Sequence, residues 1–598
     1  MTTEQVPEEK IYQATPASIG YAIGRACFVR QQESFYVEPV DRAIRPEEVD
    51  GEIRHFHRAL DAAREEILAL QSELRSKADA RDIGIFDAQL LITDDQMLMR
   101  EVGAMISDQL KPADYAFFKV VEKFVAAISV MPDSYIKERT ADIRDVATRV
   151  LTHLQNRRGI GVQYDDQRII LAHELTPSDT AALDPKKVLG FAVETGSPTS
   201  HTAILARSLQ LPAVVGLAPG FMEAVRDGDM LILDGYTGKL IVHPTRETEA
   251  AYRRKLEESL IFFHNLASEN RLSTETRDGF VLQLSGNIEK PDDVATIRQY
   301  GGCGVGLFRT EYLYLNSGGL PSEEEQYYIY RAALEEMGHE PVVVRTLDIG
   351  GDKLDQALQR YAEPNPFLGL RGIRFCLRER ADVFRTQLRA LLRAGVHGNL
   401  KVMLPMVTCV EEIVAVRDLV AELAGELRRE NVPHTDRLQL GAMIETPAAA
   451  LLASALARFV DFFSIGTNDL VQYTLAVDRT NERLGYLYWP THPAVLTLIA
   501  NCIAVARRHN IWVSICGQIA GDVRFTPLLV GLGVHELSMP PALLGPVRRV
   551  VRKLKMSEAE QAALAVLECE TAEKALEISL KMLRAAAPEV ADLIAPES

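Results

Sequence analysis

The sequence has few cysteines and no long apolar run, and both shortages exclude classes of protein. Its 7 cysteines among 598 residues are scattered, and no two of them form a Cys-x-x-Cys pair, so neither a disulfide framework nor a zinc site is indicated. No apolar stretch reaches the length of a membrane span, and the N-terminus lacks the charged and then apolar pattern of a secretory leader. We therefore expect a cytoplasmic protein without membrane insertion.

Positive charge is also scarce. Lys and Arg number 66 against 83 Asp and Glu, which gives a formal net charge of −17. Nucleic acid and anionic membranes repel such a chain, so we expect no nucleic-acid partner. The acidity would suit a basic protein partner, although many soluble enzymes are equally acidic. A chain of this length is expected to hold about three or four domains.

The first half of the chain alternates between strand-like and helical patterns. Pro16–Gly20 is predicted to form a turn and Ala22–Val29 a strand. From Pro46 to about Leu154, apolar residues recur at steps of three and four in four stretches, which predicts a small helical bundle. Strand-like runs then return at Arg168–Ala172, Val188–Val193, Ala213–Val215, Met230–Asp234 and Lys239–Val242. Because the strand near residue 25 needs partners, we expect the bundle to be an insertion into an α/β domain.

A charged helix from Pro244 to about Glu269 is predicted to connect this part to a repeat of strand and helix. The strand candidates of the repeat are Leu282–Ser285, Val305–Phe308, Val342–Thr346, Val402–Pro405, Leu440–Ile444, Phe462–Ile465, Trp512–Ile515 and Glu536–Met539. Eight strand–helix units over about 300 residues predict a (β/α)8 barrel. In such barrels, the functional residues follow the carboxyl ends of the strands.

His201 stands out among the histidines by its surroundings. It follows a small-residue turn, and Thr199 or Ser200 is expected to cap a helix that has His201 in its first turn. A helix start has free backbone N–H groups and a positive dipole end, which suit a phosphoryl group. On local features alone, however, a histidine at a helix cap is more commonly a structural polar residue.

Charged and polar residues follow several of the predicted barrel strands. They are Arg309, Arg345, Glu445, Asn468, Asp469, Arg479 and Cys516. Arginine forks match phosphate oxygens, and the carboxylates are hard ligands suited to magnesium but too few to enclose it without substrate oxygens. Each residue taken alone also has a plain structural interpretation, as an ion-pair partner or, for Cys516, as a small core residue.

Two regions carry a resemblance to a known family. The run Thr-Ser-His-Thr-Ala-Ile-Leu-Ala-Arg around His201 resembles the phosphohistidine signature of the phosphoenolpyruvate-utilising enzymes. The barrel half is similar to their phosphoenolpyruvate-binding domain, with supporting stretches at Asn365–Arg374 and Gly441–Pro447. The chain length and the helical insert make the whole chain similar to the Enzyme I family of the bacterial phosphotransferase system. Ser197-Pro198 and Gln518 depart from the family pattern, which has Gly-Arg and glutamate there.

The resemblance implies a fold and a reaction. The fold class is α/β, with a swivelling phosphohistidine domain, an inserted helical bundle and a C-terminal TIM barrel. The implied domains are the phosphohistidine domain (1–39 and 156–244), the helical domain (40–155), a linker helix (245–271) and the barrel (272–598). The implied reaction moves the phosphoryl group of phosphoenolpyruvate to His201 with Mg²⁺, releases pyruvate, and then passes the group to a histidine of the carrier protein HPr, docked on the helical domain.

The resemblance also implies residue roles. Arg309, Arg345 and Arg479 would bind the phosphate, Asn468 and Asp469 would contact the substrate, Glu445 and Asp469 would hold Mg²⁺, and Cys516 would protonate the enolate. Thr180 would orient the His201 ring, and the chain would form a homodimer through the barrel domain.

Two alternatives stay open at this point. A phosphoenolpyruvate synthase-like enzyme would need an ATP-grasp domain, for which the residues before Arg30 leave no room. A phosphohistidine relay outside the phosphotransferase system, or a non-catalytic interaction protein, is disfavoured by the full set of rim residues. The sequence does not distinguish a role in sugar transport from a regulatory one, nor one HPr-type carrier from another.

Overall fold

A computed structural model gives the positions of most of the chain. It describes residues 8–28, 39–75, 90, 93, 96–129, 143, 146–155, 166–173, 175, 186–196, 202–203, 206, 211–218, 220–316, 320–349, 365–479 and 481–594. The chain divides into two compact units, Met1–Leu256 and Glu257–Ser598. Within these described residues, no helix combines the length and the apolar character needed to span a bilayer.

The first unit contains a sheet of eight strands. They are β1 (Lys10–Gln13), β2 (Thr15–Ser18), β3 (Tyr21–Phe28), β4 (Arg168–Ala172), β5 (Val188–Val193), β6 (Ala213–Val215), β7 (Met230–Asp234) and β8 (Lys239–Val242). Their order across the sheet is β1-β8-β7-β3-β4-β5-β6-β2. Because β3 pairs with both β4 and β7, the strand near residue 25 belongs to the later sheet, as predicted.

The two edges of this sheet are formed by β1 and β2, which were not predicted as strands. The prediction of a turn at Pro16–Gly20 is partly wrong, because Pro16 lies within β2 and pairs antiparallel with β6. Proline has no N–H to donate, so it is tolerated in an edge strand, which has a neighbour on one side only. The turn-like composition therefore concealed an edge strand.

The insert between β3 and β4 is helical. Its described helices are α1 (Val49–Arg75), α2 (Gln96–Gln109) and α3 (Ala113–Ser129), and residues 146–154 are helical as well. The helical spacing predicted for the first of the four stretches is confirmed by α1, which buries Phe56, Leu60, Ala63 and Ile67 on one face. Side chains from all of these stretches form one core of their own. A short helix, α4 (Phe221–Ala224), precedes β7, and α5 (Arg246–Glu269) is the predicted connector helix.

The second unit is built on a closed barrel of eight parallel strands, as predicted. They are β9 (Gln283–Ile288), β10 (Val305–Phe308), β11 (Pro341–Arg345), β12 (Asn399–Leu404), β13 (Gln439–Ile444), β14 (Phe462–Ile465), β15 (Trp512–Ile515) and β16 (Glu536–Met539). The strand β9 runs three residues beyond its predicted end at Ser285. Gly286 does not end it, because this glycine makes room for Ile297, whose Cγ1 would lie 2.3 Å from an added Cβ.

Helices surround the barrel and cover its outer face. They are α6 (Asp293–Gln299), α7 (Glu311–Asn316), α8 (Glu323–Met337), α9 (Ile373–Arg378), α10 (Ala381–Ala394), α11 (Val410–Arg429), α12 (Pro447–Leu451), α13 (Ala453–Leu456), α14 (Thr467–Leu475), α15 (Pro493–His509), α16 (Thr526–Leu532), α17 (Leu544–Lys553), α18 (Met556–Leu567), α19 (Ala572–Ala586) and α20 (Pro588–Ile594). A single large core joins most of them to the strands. Since all eight strands are parallel, their carboxyl ends lie on one rim.

Candidate active site

The predicted barrel residues lie at the carboxyl ends of five strands. Arg309 follows β10, Arg345 ends β11, Glu445 follows β13, Asn468 and Asp469 lie in the first turn of α14 directly after β14, and Cys516 follows β15. Arg479 comes four residues after α14. His201 and Thr180, and the departing pair Ser197-Pro198, lie outside the described residues.

Arg345 is buried and paired with two carboxylates. Its Nη2 donates to Glu311 Oε1 at 2.9 Å, and its Nη1 lies 3.0 Å from Asp348 Oδ2. Burial alone would lower the pKa of Arg345, but the negative charges of Glu311 and Asp348 raise it instead, so the guanidinium stays charged. Its Nε is buried without a hydrogen-bond partner among the described residues, which leaves one donor for a ligand.

Arg371 extends this network to Asp469. Its Nε and Nη2 each donate to Asp348 at 3.0 Å, and its two Nη atoms donate to the oxygens of Asp469 at 3.0 and 3.3 Å. Arg479 approaches the same carboxylate, with Nη1 3.8 Å from Asp469 Oδ2. The structure thus joins three predicted residues, Arg345, Asp469 and Arg479, through two that had been given no role. The available signals were the place of Asp348 just after β11 and that of Arg371 within the stretch Asn365–Arg374.

Glu445 is fully buried, and one of its two carboxylate oxygens has a hydrogen-bond partner among the described residues. Its Oε1 accepts a hydrogen bond from the Met406 N–H at 2.6 Å, whereas Oε2 has no partner among the described residues. Burial raises the pKa of Glu445, and the charges of Asp469 and Asp348 raise it further, against the opposing effect of Arg371 and Arg345. A buried carboxylate oxygen without a partner is costly, so this atom suits a cation or a ligand.

The donor set fits a magnesium ion that is shared with a substrate. Glu445 offers a free buried oxygen, and Asp469 offers a second carboxylate that Arg371 already holds in place. In the described part of the chain, no group of three or more His, Cys, Asp and Glu residues is arranged to hold a metal. An ion at these two carboxylates would therefore need further ligands from substrate or water, which is usual for Mg²⁺.

Arg309 is the most exposed of the charged rim residues. Its Nη1 donates to Glu289 Oε1 at 3.2 Å, and 43% of its side chain is exposed. The plain ion-pair interpretation therefore describes its contact in this structure. This exposure leaves the guanidinium accessible to an anion. The ion pair with Glu289 would not prevent anion binding, because an exposed ion pair of this kind contributes only about 0–1 kcal/mol.

Cys516 is a buried thiol next to polar groups of the rim. Its Sγ accepts a hydrogen bond from Ser464 Oγ at 3.3 Å. Burial raises the pKa of Cys516 to about 11, so the thiol keeps its proton at neutral pH. The charges of Glu445, Arg345 and Arg309 all influence this pKa, which indicates that these residues share one neighbourhood with the sulfur. A protonated thiol can donate a proton to a strongly basic carbon.

Asn468 and Gln518 connect the loops after β14 and β15. Asn468 Oδ1 accepts a hydrogen bond from the backbone N–H of Gln518 at 2.9 Å, and its backbone carbonyl accepts one from Tyr488 Oη at 2.9 Å. Gln518 itself is exposed. These bonds fix the start of α14, which carries Asp469, relative to the loop that carries Cys516.

Comparisons with known proteins identify the family of the chain. The family models described as "PEP-utilising enzyme, PEP-binding domain", "PEP-utilising enzyme, N-terminal" and "PEP-utilising enzyme, mobile domain" match residues 264–556, 13–139 and 164–238. A phosphoenolpyruvate-protein phosphotransferase of Bacillus sp. (strain S) is 42% identical over 573 residues, which is 95% of this chain and 97% of that protein. Proteins of the same name from Geobacillus stearothermophilus and Staphylococcus aureus are 42% and 40% identical, over 95% of this chain and 97% and 99% of theirs. The chain therefore belongs to the phosphoenolpyruvate-protein phosphotransferase family of PEP-utilising enzymes.

Proposed function

We propose that this chain moves the phosphoryl group of phosphoenolpyruvate to its own His201, releases pyruvate, and passes the group to a histidine of an HPr-type carrier protein. The observation that most supports this is the network that joins Arg345, Asp348, Arg371 and Asp469 beside the half-satisfied Glu445. It places guanidinium groups beside two carboxylates at one rim, and Glu445 Oε2 has no partner among the described residues. Guanidinium groups and carboxylate oxygens are what a phosphate and a divalent cation require.

The arginines receive the phosphate oxygens in this proposal. Arg345 is held by Glu311 and Asp348, so its unpartnered Nε already has a fixed direction before a ligand arrives. Arg309 and Arg479 are more exposed and complete the set, with 43% and 31% of their side chains exposed. Preorganised charge of this kind stabilises a transferring phosphoryl group without reorganisation during the reaction. Asn468 and Asp469 would contact the rest of the substrate.

Glu445 and Asp469 would hold Mg²⁺, which when bound neutralises the negative charge of the phosphate and the substrate carboxylate. The chain's own contribution is to fix these two carboxylates. The Met406 N–H holds Oε1 of Glu445, and this bond leaves Oε2 for the ion. The guanidinium of Arg371 holds Asp469.

Cys516 would supply the proton that converts the departing enolate into pyruvate. Burial keeps the thiol protonated at neutral pH, and the Asn287 side chain and Ser464 hold its backbone and its sulfur. The role of His201 is supported by its sequence signature alone. The reaction requires that this histidine reach the barrel rim and later reach the carrier protein, which is the physical reason for a swivelling domain.

The test uses the full chain with phosphoenolpyruvate labelled in its phosphate. With Mg²⁺ present, we expect an acid-labile label on the wild type and no label on His201→Ala. His173→Ala removes an exposed histidine from the same unit and should keep the label, which makes it the matched control. Label that survives in His201→Ala would contradict the assignment, and label that requires ATP would favour a synthase-like enzyme instead.

Glu445→Gln tests the proposed metal ligand. It keeps the shape of the side chain and removes its charge, so we expect a strong loss of Mg²⁺-dependent labelling with an unchanged circular dichroism spectrum. Offering the labelled chain to a panel of HPr-type proteins then identifies the acceptor. If none of them takes the label, the second half of the proposal fails while the first half stands.

We propose in addition that the chain acts in the cytoplasm as a homodimer through the barrel unit. The resemblance to the Enzyme I family implies this dimer, and apolar side chains such as Leu451 and Leu564, with 71% and 62% exposure, are available on this unit for burial between two copies. Sedimentation equilibrium of the full chain is expected to give twice the monomer mass of 66.4 kDa. A monomer at micromolar concentration would contradict this part of the proposal.

A further inference from the structure

Two buried serines form a hydrogen-bonded chain that ends on the sulfur of Cys516. Ser514 Oγ donates to Ser464 Oγ at 2.9 Å, and Ser464 Oγ donates to Cys516 Sγ at 3.3 Å. The two serines are direct cross-strand neighbours, because β14 and β15 pair in register at these positions. The chain of hydroxyl groups is therefore fixed by the backbone of the barrel.

Apolar side chains pack around the two serines on the interior side of the barrel. Ser464 and Ser514 are 0% and 1% exposed, and the buried cluster around Cys516 consists of Leu307, Val343, Met403, Met443 and Phe462. Burying a hydroxyl costs free energy unless it is hydrogen bonded, so both hydroxyl groups need partners. Ser464 accepts a hydrogen bond from Ser514, and the single hydrogen of its own hydroxyl group is left to point at the sulfur.

The thiol proton of Cys516 points away from Ser464. In the described part of the chain, its acceptor is the Ile465 carbonyl, with Sγ 3.8 Å from that oxygen. The sulfur thus accepts from Ser464 on one side and donates a weak bond on the other. When the thiol loses its proton, the bond to the carbonyl is lost, whereas the bond from Ser464 becomes stronger because its acceptor is now charged.

We propose that Ser464 is a positioning residue for proton donation by Cys516, and that Ser514 orients Ser464. The inference deepens the proposed function and rests on it. In the step concerned, the S–H bond breaks, the proton bonds to C3 of the enolate, and the electron pair stays on sulfur as a thiolate that accepts the Ser464 hydrogen bond. The thiolate takes a proton from solvent after pyruvate leaves, which restores the starting state.

Several side chains influence the pKa of Cys516, and Ser464 is the uncharged one among them. The negative charge of Glu445 raises the pKa of Cys516, whereas Arg345 and Arg309 lower it through space, and Ser464 lowers it through its hydrogen bond. In the described part of the chain, Ser464 is the side chain that donates a hydrogen bond to the sulfur. Its removal therefore changes the thiol locally without altering the charges that bind the substrate.

The test compares Ser464→Ala, Ser514→Ala and the control Ser285→Ala in the full chain. Ser285 is another interior serine of the barrel, 1% exposed, on β9, so its substitution reproduces the cost of removing a buried hydroxyl. With Ser464→Ala we expect pyruvate formation to slow by about tenfold, the effect of losing a hydrogen bond to a charged group. Ser514→Ala should give a smaller effect and Ser285→Ala none.

A second measurement reads the thiol directly. The rate at which iodoacetamide alkylates Cys516 between about pH 7 and 9, followed on its own peptide by mass spectrometry, reports the thiolate fraction without any turnover. We expect Ser464→Ala to lower this rate at each pH, because the loss of the hydrogen bond raises the pKa of the thiol, and Ser285→Ala to leave the rate unchanged. Equal alkylation rates in these two variants, with equal rates of pyruvate formation, would overturn the inference. If the wild type takes no label from phosphoenolpyruvate, the proposed function fails instead, while the alkylation experiment still decides whether Ser464 acts on the sulfur.

Discussion

Glu536 is a buried carboxyl group whose neutralisation is expected to stabilise the barrel. It is the first residue of β16 and is 1% exposed, and neither carboxylate oxygen has a hydrogen-bond partner of good geometry among the described residues. Burial raises its pKa to about 7, although the Ser285 hydroxyl and the charge of Lys401 act in the opposite direction. The ionised form of Glu536 is therefore disfavoured in the folded barrel.

The expected change in stability follows from the difference between the pKa of Glu536 in the folded and in the unfolded chain. The pKa of Glu536 is about 7 in the folded barrel, against an ordinary value of 4.5. At 1.36 kcal/mol for each pH unit, this difference of 2.5 amounts to about 3 kcal/mol. Because the folded state holds the proton more tightly, this stability is fully present below pH 4.5 and is lost as the pH rises through 7. Above that pH, Glu536→Gln is expected to recover up to about 3 kcal/mol, since glutamine keeps the size and carries no charge.

The assay is urea unfolding of the full chain at several pH values from 5 to 8, followed by tryptophan fluorescence. The sequence has 2 tryptophans, Trp489 and Trp512, and both belong to the barrel unit, so the signal reports on the barrel. We expect Glu536→Gln to be more stable than the wild type at pH 8 and the difference to shrink toward pH 5. Glu558→Gln, at a side chain with 59% exposure, is the control and should show no such trend. A difference that is independent of pH, or a loss of stability at pH 8, would refute the reasoning and would mean that Lys401 keeps Glu536 ionised.

Two further substitutions test particular contacts. Arg371→Met leaves the buried carboxylates of Asp348 and Asp469 without their main partner. We therefore expect the free energy of unfolding in the same urea assay to fall by about 3–5 kcal/mol. A fall of less than about 1 kcal/mol would show that the barrel does not depend on this network. Gly238→Ala places a Cβ 2.2 Å from the Ala14 carbonyl oxygen at φ +74°, so we expect faster amide hydrogen exchange in β1 and β8 with an unchanged barrel transition. Unchanged exchange protection in those two strands would show that the backbone there yields at little cost.

The fold was predictable wherever a segment's structure depends on its own pattern. The barrel strands were located because each is a short apolar run with a turn on either side, and the helix α1 because its apolar residues recur at helical spacing. The edge strand β2 was missed because its residues have a turn-like composition and because its partner, β6, lies far along the chain. Nothing in the local sequence of Thr15–Ser18 indicates that a second strand will be beside it.

The candidate site was likewise predictable only where it depends on local sequence. The sequence by itself determined the family and the positions at the strand ends, because a signature and a strand end are local properties of the chain. Only the tertiary structure decided that Arg371 joins Asp348 to Asp469, that Glu445 keeps one oxygen without a partner among the described residues, and that Ser464 touches Cys516, 52 residues away. These contacts exist because barrel closure brings distant strand ends to one rim, and no pattern within a single segment records which side chains then come within hydrogen-bond distance.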